Sequence, residues 1–166
     1  MTQKPTKPAT GKLGILLPGM GAVGTTFIAG ALLARRGLGR PFGSLTQMGE
    51  LPATGGAPAT PIRKAVPLAD LSDLVFGGWD LFANNAYEAA KEADVLSRDH
   101  LEAVRKEMSD IKPMKAVFFP EYVKRLRGEH IKTQTNKMEL AEAVREDIRR
   151  FKADNGLDRC VAVWCG

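Results

Sequence analysis

Three glycines, Gly19, Gly21 and Gly24, stand at the spacing Gly-x-Gly-x-x-Gly in the stretch Leu13-Gly14-Ile15-Leu16-Leu17-Pro18-Gly19-Met20-Gly21-Ala22-Val23-Gly24-Thr25-Thr26. An apolar run precedes them and an Ala-rich apolar segment follows. The pattern therefore has the form of a dinucleotide-binding fingerprint set between a strand and a helix. Gly19 lets the chain turn tightly at the strand's end, Gly21 lets the backbone approach a pyrophosphate, and Gly24 lets the helix pack closely on the strand. The free amides and dipole at the helix start favour an anion there. The alternative, in a chain with 17 glycines, is a turn that packs a helix and binds nothing.

Asp80 is the second position with chemistry to offer. It closes Leu74-Val75-Phe76-Gly77-Gly78-Trp79-Asp80, where an acid directly after a strand is placed to accept hydrogen bonds from a ribose or an adenine. The other use of an aspartate there is to cap the helix that follows. Dinucleotide-binding domains carry an acid roughly 20 residues beyond the glycines. Glu50 lies near that distance but in the turn-like Gln47-Met48-Gly49-Glu50-Leu51-Pro52, and is not taken as the ribose ligand. His100 and His130 read as surface residues. Cys160 and Cys165 match no zinc spacing and lie too close on one expected strand to form a staple, so no metal site and a reducing, cytoplasmic setting are expected.

These residues need a scaffold, and the pattern supplies one. Arg35-Arg36-Gly37 ends the first helix with cations and a glycine. Residues 37–61 read as a long surface loop or lid. The pattern predicts a short strand over Ile62–Val66, a single helical turn over Pro67–Asp73, a strand from Leu74 and a helix over Asn84–Ala93. Ser97 then caps a helix burying Leu101, Val104, Met108 and Ile111. A strand is predicted at Ala116–Phe119 and a basic helical turn at Glu121–Arg127. Asn136 and Glu139 have capping-box spacing before a helix with the stripe Leu140, Val144, Ile148 and Phe151, on which Glu146 and Arg150 are spaced to pair. Arg159–Cys165 reads as a buried parallel strand. Strands alternating with helices predict an α/β fold with a largely parallel sheet and flanking helices. Gly19, Asp80 and Gly166 fall at carboxyl ends of strands, where such sheets bind ligands.

Residues 1–12, with Lys4, Lys7 and Lys12, read as a disordered basic tail, and residues 13–166 as one domain. A chain 44% hydrophobic and 26% charged is that of a soluble globular protein. It has no apolar run of the roughly 18–20 residues a membrane span needs. Part of the net charge of +5 sits in the tail, and much of the rest alternates with acids along helices. Neither a nucleic acid nor a membrane is expected as partner.

Four further blocks are Gly43-Ser44-Leu45-Thr46-Gln47-Met48-Gly49, the Val-Phe-Gly-Gly-Trp-Asp run at 75–80, Asn136-Lys137-Met138-Glu139-Leu140-Ala141-Glu142, and Arg145-Glu146-Asp147-Ile148-Arg149-Arg150-Phe151-Lys152 running into Val163-Trp164-Cys165-Gly166. From Lys12 onward the chain resembles the N-terminal part of the inositol-3-phosphate synthase family, NAD-dependent isomerases that make inositol phosphate from glucose 6-phosphate. The resemblance implies a Rossmann-like domain. It places the NAD pyrophosphate on Gly19, Met20, Gly21, Ala22, Val23 and Gly24, and the adenosine end on Asp80, with further contacts from Ala116, Val117, Cys165 and Gly166. The glycine loop is one residue shorter than the eukaryotic pattern and lacks its paired asparagines, and Cys165-Gly166 replaces Thr-Ala. The family reaction runs by oxidation, enolisation, aldol cyclisation and reduction with catalytic NAD. The family's catalytic lysines lie beyond anything matching this chain. The expectation is thus an NAD-binding part of a longer, homo-oligomeric enzyme, inactive alone and with no catalytic residue of its own. Two alternatives are an NAD-binding regulatory module without chemistry and a part of another NAD(P)-dependent dehydrogenase.

Overall fold

The computed structural model of the chain describes residues 10–56 and 58–165. The expected tail therefore lies outside the described residues as far as residue 9, and so does Gly166.

The apolar run forms strand β1 (Leu13–Pro18), parallel to a neighbour on each side. A strand buried on both faces must be apolar throughout. Here Ile15 and Leu17 enter one core and Leu16 the other. Helix α1 (Ala22–Arg35) lays Ile28, Ala29, Leu32 and Leu33 on the first face. It ends at Gly37, whose φ of +70° goes with amides of Gly37 and Leu38 turned back onto the carbonyls of Ala34 and Leu33.

Residues 37–61 hold one helical turn, α2 (Leu45–Met48), and a small antiparallel pair, β2 (Glu50–Leu51) with β3 (Thr60–Pro61). Where the sequence predicts a strand at 62–66 the chain makes a helical turn, α3 (Ile62–Ala65). With no partner strand, the Val66 amide finds its acceptor within the turn, at Ile62. A 3-10 turn at Leu71–Asp73 leads into β4 (Leu74–Asp80), which runs to the aspartate.

Asn85 and Glu88 form a full capping box for α4 (Ala86–Ala93). The single helix expected next is two, α5 (Arg98–Ala103) and α6 (Arg105–Asp110), broken at Val104. The Arg36 guanidinium, reaching across from α1, donates to the Ala103 carbonyl at the break. Strand β5 is only Met114–Lys115, so the strand expected over 116–119 is displaced toward the N-terminus. Ala116 adds one isolated bridge to Ile131. Residues 121–127 form turns rather than the expected helical turn. All seven are exposed, and a helix that short needs packing to persist. Helix α7 (Lys137–Asn155) starts at Asn136, whose side chain accepts the Glu139 amide at 2.9 Å, and is followed by β6 (Arg159–Ala162).

The main sheet is parallel, in the order β5-β4-β1-β6. Numbered within that sheet alone, the strands run third, second, first, fourth, as in one half of the doubly wound dinucleotide fold. Helices α1, α4, α5 and α6 cover one face, and α7 covers the other. β4 thus occupies the place of the second strand, with residues 37–73 inserted before it.

Candidate functional site

The glycine loop and the end of β4 are bonded to each other. Gly19, at φ +93°, donates its amide to the Trp79 carbonyl at 2.8 Å. The Met20 amide donates to Asp80 Oδ2 at 2.6 Å, and the Phe82 amide donates to Asp80 Oδ1 at 3.0 Å. Asp80 does not cap the following helix, since Asn85 does that. Met20 is anchored by a side chain only 1% exposed.

Gly24 and Gly21 need to be glycine for different reasons. A Cβ on Gly24 would stand 2.8 Å from the Gly19 carbonyl oxygen, so the close approach of α1 to the loop requires its absence. A Cβ on Gly21 would meet nothing within 4 Å. Its bareness serves no contact within the described residues and leaves open space over the start of α1. Gly21, Ala22 and Val23 are exposed there, the helix N-cap makes no side-chain hydrogen bond, and no acid lies in the first turn. Among the described residues no side chain caps the first turn of α1 itself, and the one acid at its approach, Asp80, is bonded to the Met20 amide, so the turn offers its amides to an anion.

A second group of backbone contacts surrounds Asp80. His130 Nδ1 lies 3.2 Å from the Asp80 carbonyl, and the His130 amide donates to the Leu81 carbonyl at 3.0 Å. Ala116 in turn donates to the His130 carbonyl, and Lys132 to the Ala116 carbonyl. These strands of contact edge a cleft of about 550 Å³ lined by Phe82, Asn84, Arg127, Gly128 and His130, a size common for small-molecule sites. Ala116 is buried and Val117 exposed. Beyond β6, the Val163 amide continues the pairing onto the Leu16 carbonyl, and Cys165 packs half-buried on the first core. The structure thus joins the Gly19–Gly24 loop to Asp80 directly and Ala116 to Asp80 through His130. Gly166 falls outside the described residues.

The sequence reading missed a buried charge network behind this site. Asp147 Oδ2 accepts the Trp79 indole N–H at 2.8 Å and lies 2.5 Å from Lys132 Nζ, while Oδ1 accepts from Arg150 at 2.6 Å. The pairing expected between Glu146 and Arg150 does not form. Arg150 turns inward to Asp147, and Glu146 pairs with Arg149. The available signal was an aspartate between Val144 and Ile148 on the apolar stripe of α7. A charge on a buried face demands partners.

Both cysteines are free thiols, and burial pushes that of Cys160 above the ordinary thiol range. Among the described residues no three His, Cys, Asp or Glu side chains converge as a metal site would need. No described helix is long and apolar enough to cross a membrane.

The NAD-binding family model described as myo-inositol-1-phosphate synthase matches residues 13–166. The chain is 48% identical over 159 residues to inositol-3-phosphate synthase 1 of Bacteroides thetaiotaomicron, covering 95% of this chain and 37% of that protein. It is 32% identical to inositol-3-phosphate synthase 1 of Oryza sativa subsp. japonica, over 92% of this chain and 33% of that one. The crystal structure of inositol-3-phosphate synthase from Caenorhabditis elegans superposes with a TM-score of 0.82 at 28% identity, covering 96% of this chain and 35% of that chain. The chain thus spans about a third of the length of the relatives it matches.

Proposed function

The chain belongs to the myo-inositol-1-phosphate synthase family, corresponding to its NAD-binding portion, and from that membership we propose how its own residues hold the cofactor. The amides at the start of α1, with Gly21 bare above them, receive the pyrophosphate. The Asp80 carboxylate receives the adenosine ribose. One hydrogen bond to a backbone amide engages each of its oxygens, and a carboxylate oxygen can accept more than one. Ala116 and Val117 border the cofactor from the end of β5, and Cys165 with Gly166 from beyond β6. The observation that carries this reading is the Met20–Asp80 hydrogen bond, which brings the loop and the acid of the second strand position to one place at the carboxyl end of the sheet.

The substrate of the whole enzyme is, in this proposal, glucose 6-phosphate, converted to inositol 3-phosphate. Bound NAD supplies a reversible hydride acceptor, so the reaction runs with no net redox change. This chain's part is to bind and orient the cofactor. The groups that stabilise the enolate and close the ring lie outside these 166 residues, in a homo-oligomeric enzyme working in the cytoplasm. Calorimetric titration of the chain with NAD tests the binding claim. Saturable one-to-one binding is expected, and no heat of binding up to millimolar NAD would overturn it.

A further inference from the structure

We propose that Asp147 is the positioning residue of the Asp80 end of the site, setting where the Asp80 carboxylate stands without touching the cofactor. Asp147 and Lys132 have side chains only 5% and 9% exposed, and Asp147 stands on a helix face that otherwise packs apolar residues on the sheet. A buried ion pair holds a structure together no better than a well-packed hydrophobe of the same volume. What a leucine in its place would lack is direction. Asp147 fixes an indole N–H from β4 and an ammonium from the segment after β5, while Arg150 completes the carboxylate's partners from the solvent side.

Both inner partners lead to Asp80. Trp79 is held at its ring by Asp147 and at its carbonyl by the Gly19 amide, so the peptide that carries Asp80 is fixed both from the α7 face and within the plane of the sheet. Lys132 is held at its ammonium by Asp147, and its amide donates to Ala116. Ala116 donates to His130, which donates to Leu81 and faces the Asp80 carbonyl. Two routes from one carboxylate thus converge on the residues before and after Asp80. Along the second lies Ala116, another of the residues assigned to the cofactor.

Two experiments decide this, of which only the second rests on the NAD reading. In the free chain, amide hydrogen exchange at Met20 reports the bond to Asp80. Asp147→Asn is expected to speed exchange there at least about tenfold while leaving the Ala89 amide, inside α4, unchanged. Equal acceleration at Met20 and Ala89 would mean general loosening and overturn the proposal, as would no change at Met20. With NAD, Asp147→Asn should weaken binding about fivefold in the parent and less than about twofold in an Asp80→Ala background, because the two residues act in series. Additive losses overturn it. If the parent chain does not bind NAD, the cofactor reading fails and the exchange experiment alone decides the positioning. Trp79→Phe removes only the indole N–H. It should show the same changes in smaller measure if Asp147→Asn does not fold, and an unaltered Met20 exchange rate in it counts against the proposal.

Discussion

The Met20 amide and the Asp80 carboxylate meet at 2.6 Å across 60 positions of sequence, one bond above the 2.8 Å contact between the Gly19 amide and the Trp79 carbonyl. Loop and strand end are therefore a single unit, and the acid proposed to receive the ribose also sets the shape of the loop proposed to receive the phosphates. Asp80→Ala removes both functions. Charge-assisted hydrogen bonds contribute about 1.5–3 kcal/mol each. NAD affinity should accordingly fall by about tenfold to a hundredfold, measured by calorimetry. Affinity within about twofold of the parent would remove Asp80 from the site.

Gly21 and Gly24 should respond in opposite ways to the same substitution. Gly24→Ala drives a Cβ to 2.8 Å from the Gly19 carbonyl oxygen, a backbone atom that cannot step aside. Overpacking of this kind costs about 1–3 kcal/mol, so the melting temperature should drop. Gly21→Ala meets nothing within 4 Å, at a φ of −76° that alanine adopts freely. Its stability cost should stay below about 1 kcal/mol, that of a weaker N-cap. Yet its methyl enters the open space proposed for the pyrophosphate, so NAD affinity should fall at least about tenfold, or about 1.4 kcal/mol. A Gly21→Ala chain that binds NAD like the parent would show that the phosphates lie elsewhere.

The parts of the fold legible in the sequence are those whose signals are local. Leu13–Pro18 carries its burial on its face, the three glycines their turn, and Asn136 its cap. Residues whose role depends on a distant partner were harder to read. In sequence Asp80 is a strand-end acid with two uses open to it, and only the structure, in which Asn85 caps α4 and β4 lies beside β1, removes the cap. The insertion of residues 37–73 hides this from any count of residues beyond the glycines. The break at Val104 goes with Arg36, the residue that closes α1, reaching the Ala103 carbonyl. His130 sits in a polar stretch with no periodicity, and only its contacts to Leu81 and Asp80 give it a place. Asp147 could have been suspected, since charge on an apolar stripe needs an explanation. Nothing local named Trp79 and Lys132 as its partners.

The Cys160 thiol gives a pH dependence of known sign. Burial holds its folded pKa above the ordinary value, with Lys152 and a backbone hydrogen bond pulling more weakly the other way. The unfolded chain therefore loses this proton first as pH rises. The contribution to stability is full below the unfolded thiol pKa of about 8.5 and is lost as pH rises through the folded value. Urea midpoints should decline above pH 8.5 in the parent and less steeply in Cys160→Ala. Identical slopes in the two proteins would show that the thiol is not held in its neutral form by the fold.

Gly77 and Gly78 make the last test, because they stand side by side on β4 and meet different kinds of atom. A Cβ on Gly78 would lie 2.2 Å from the Leu17 carbonyl oxygen, within the pairing of β4 on β1. Neither strand can move without breaking the sheet, so Gly78→Ala should fail to give soluble folded protein. A Cβ on Gly77 would lie 2.6 Å from the ring of Phe151, a half-buried side chain of α7. That ring is able to shift, so Gly77→Ala should fold with a loss of about 1–3 kcal/mol. Phe151→Leu in the same chain should recover part of that loss by clearing the space. The Met20–Asp80 bond lies beyond both positions toward the end of the strand, and Gly77→Ala should accordingly keep NAD affinity within about threefold, well inside the tenfold that 1.4 kcal/mol represents. The yield of soluble Gly78→Ala checks the first half, and urea unfolding with an unchanged m-value together with NAD titration of the other two variants checks the second. Recovery of Gly78→Ala by Phe151→Leu would show that the close approach is to α7 and not to β1.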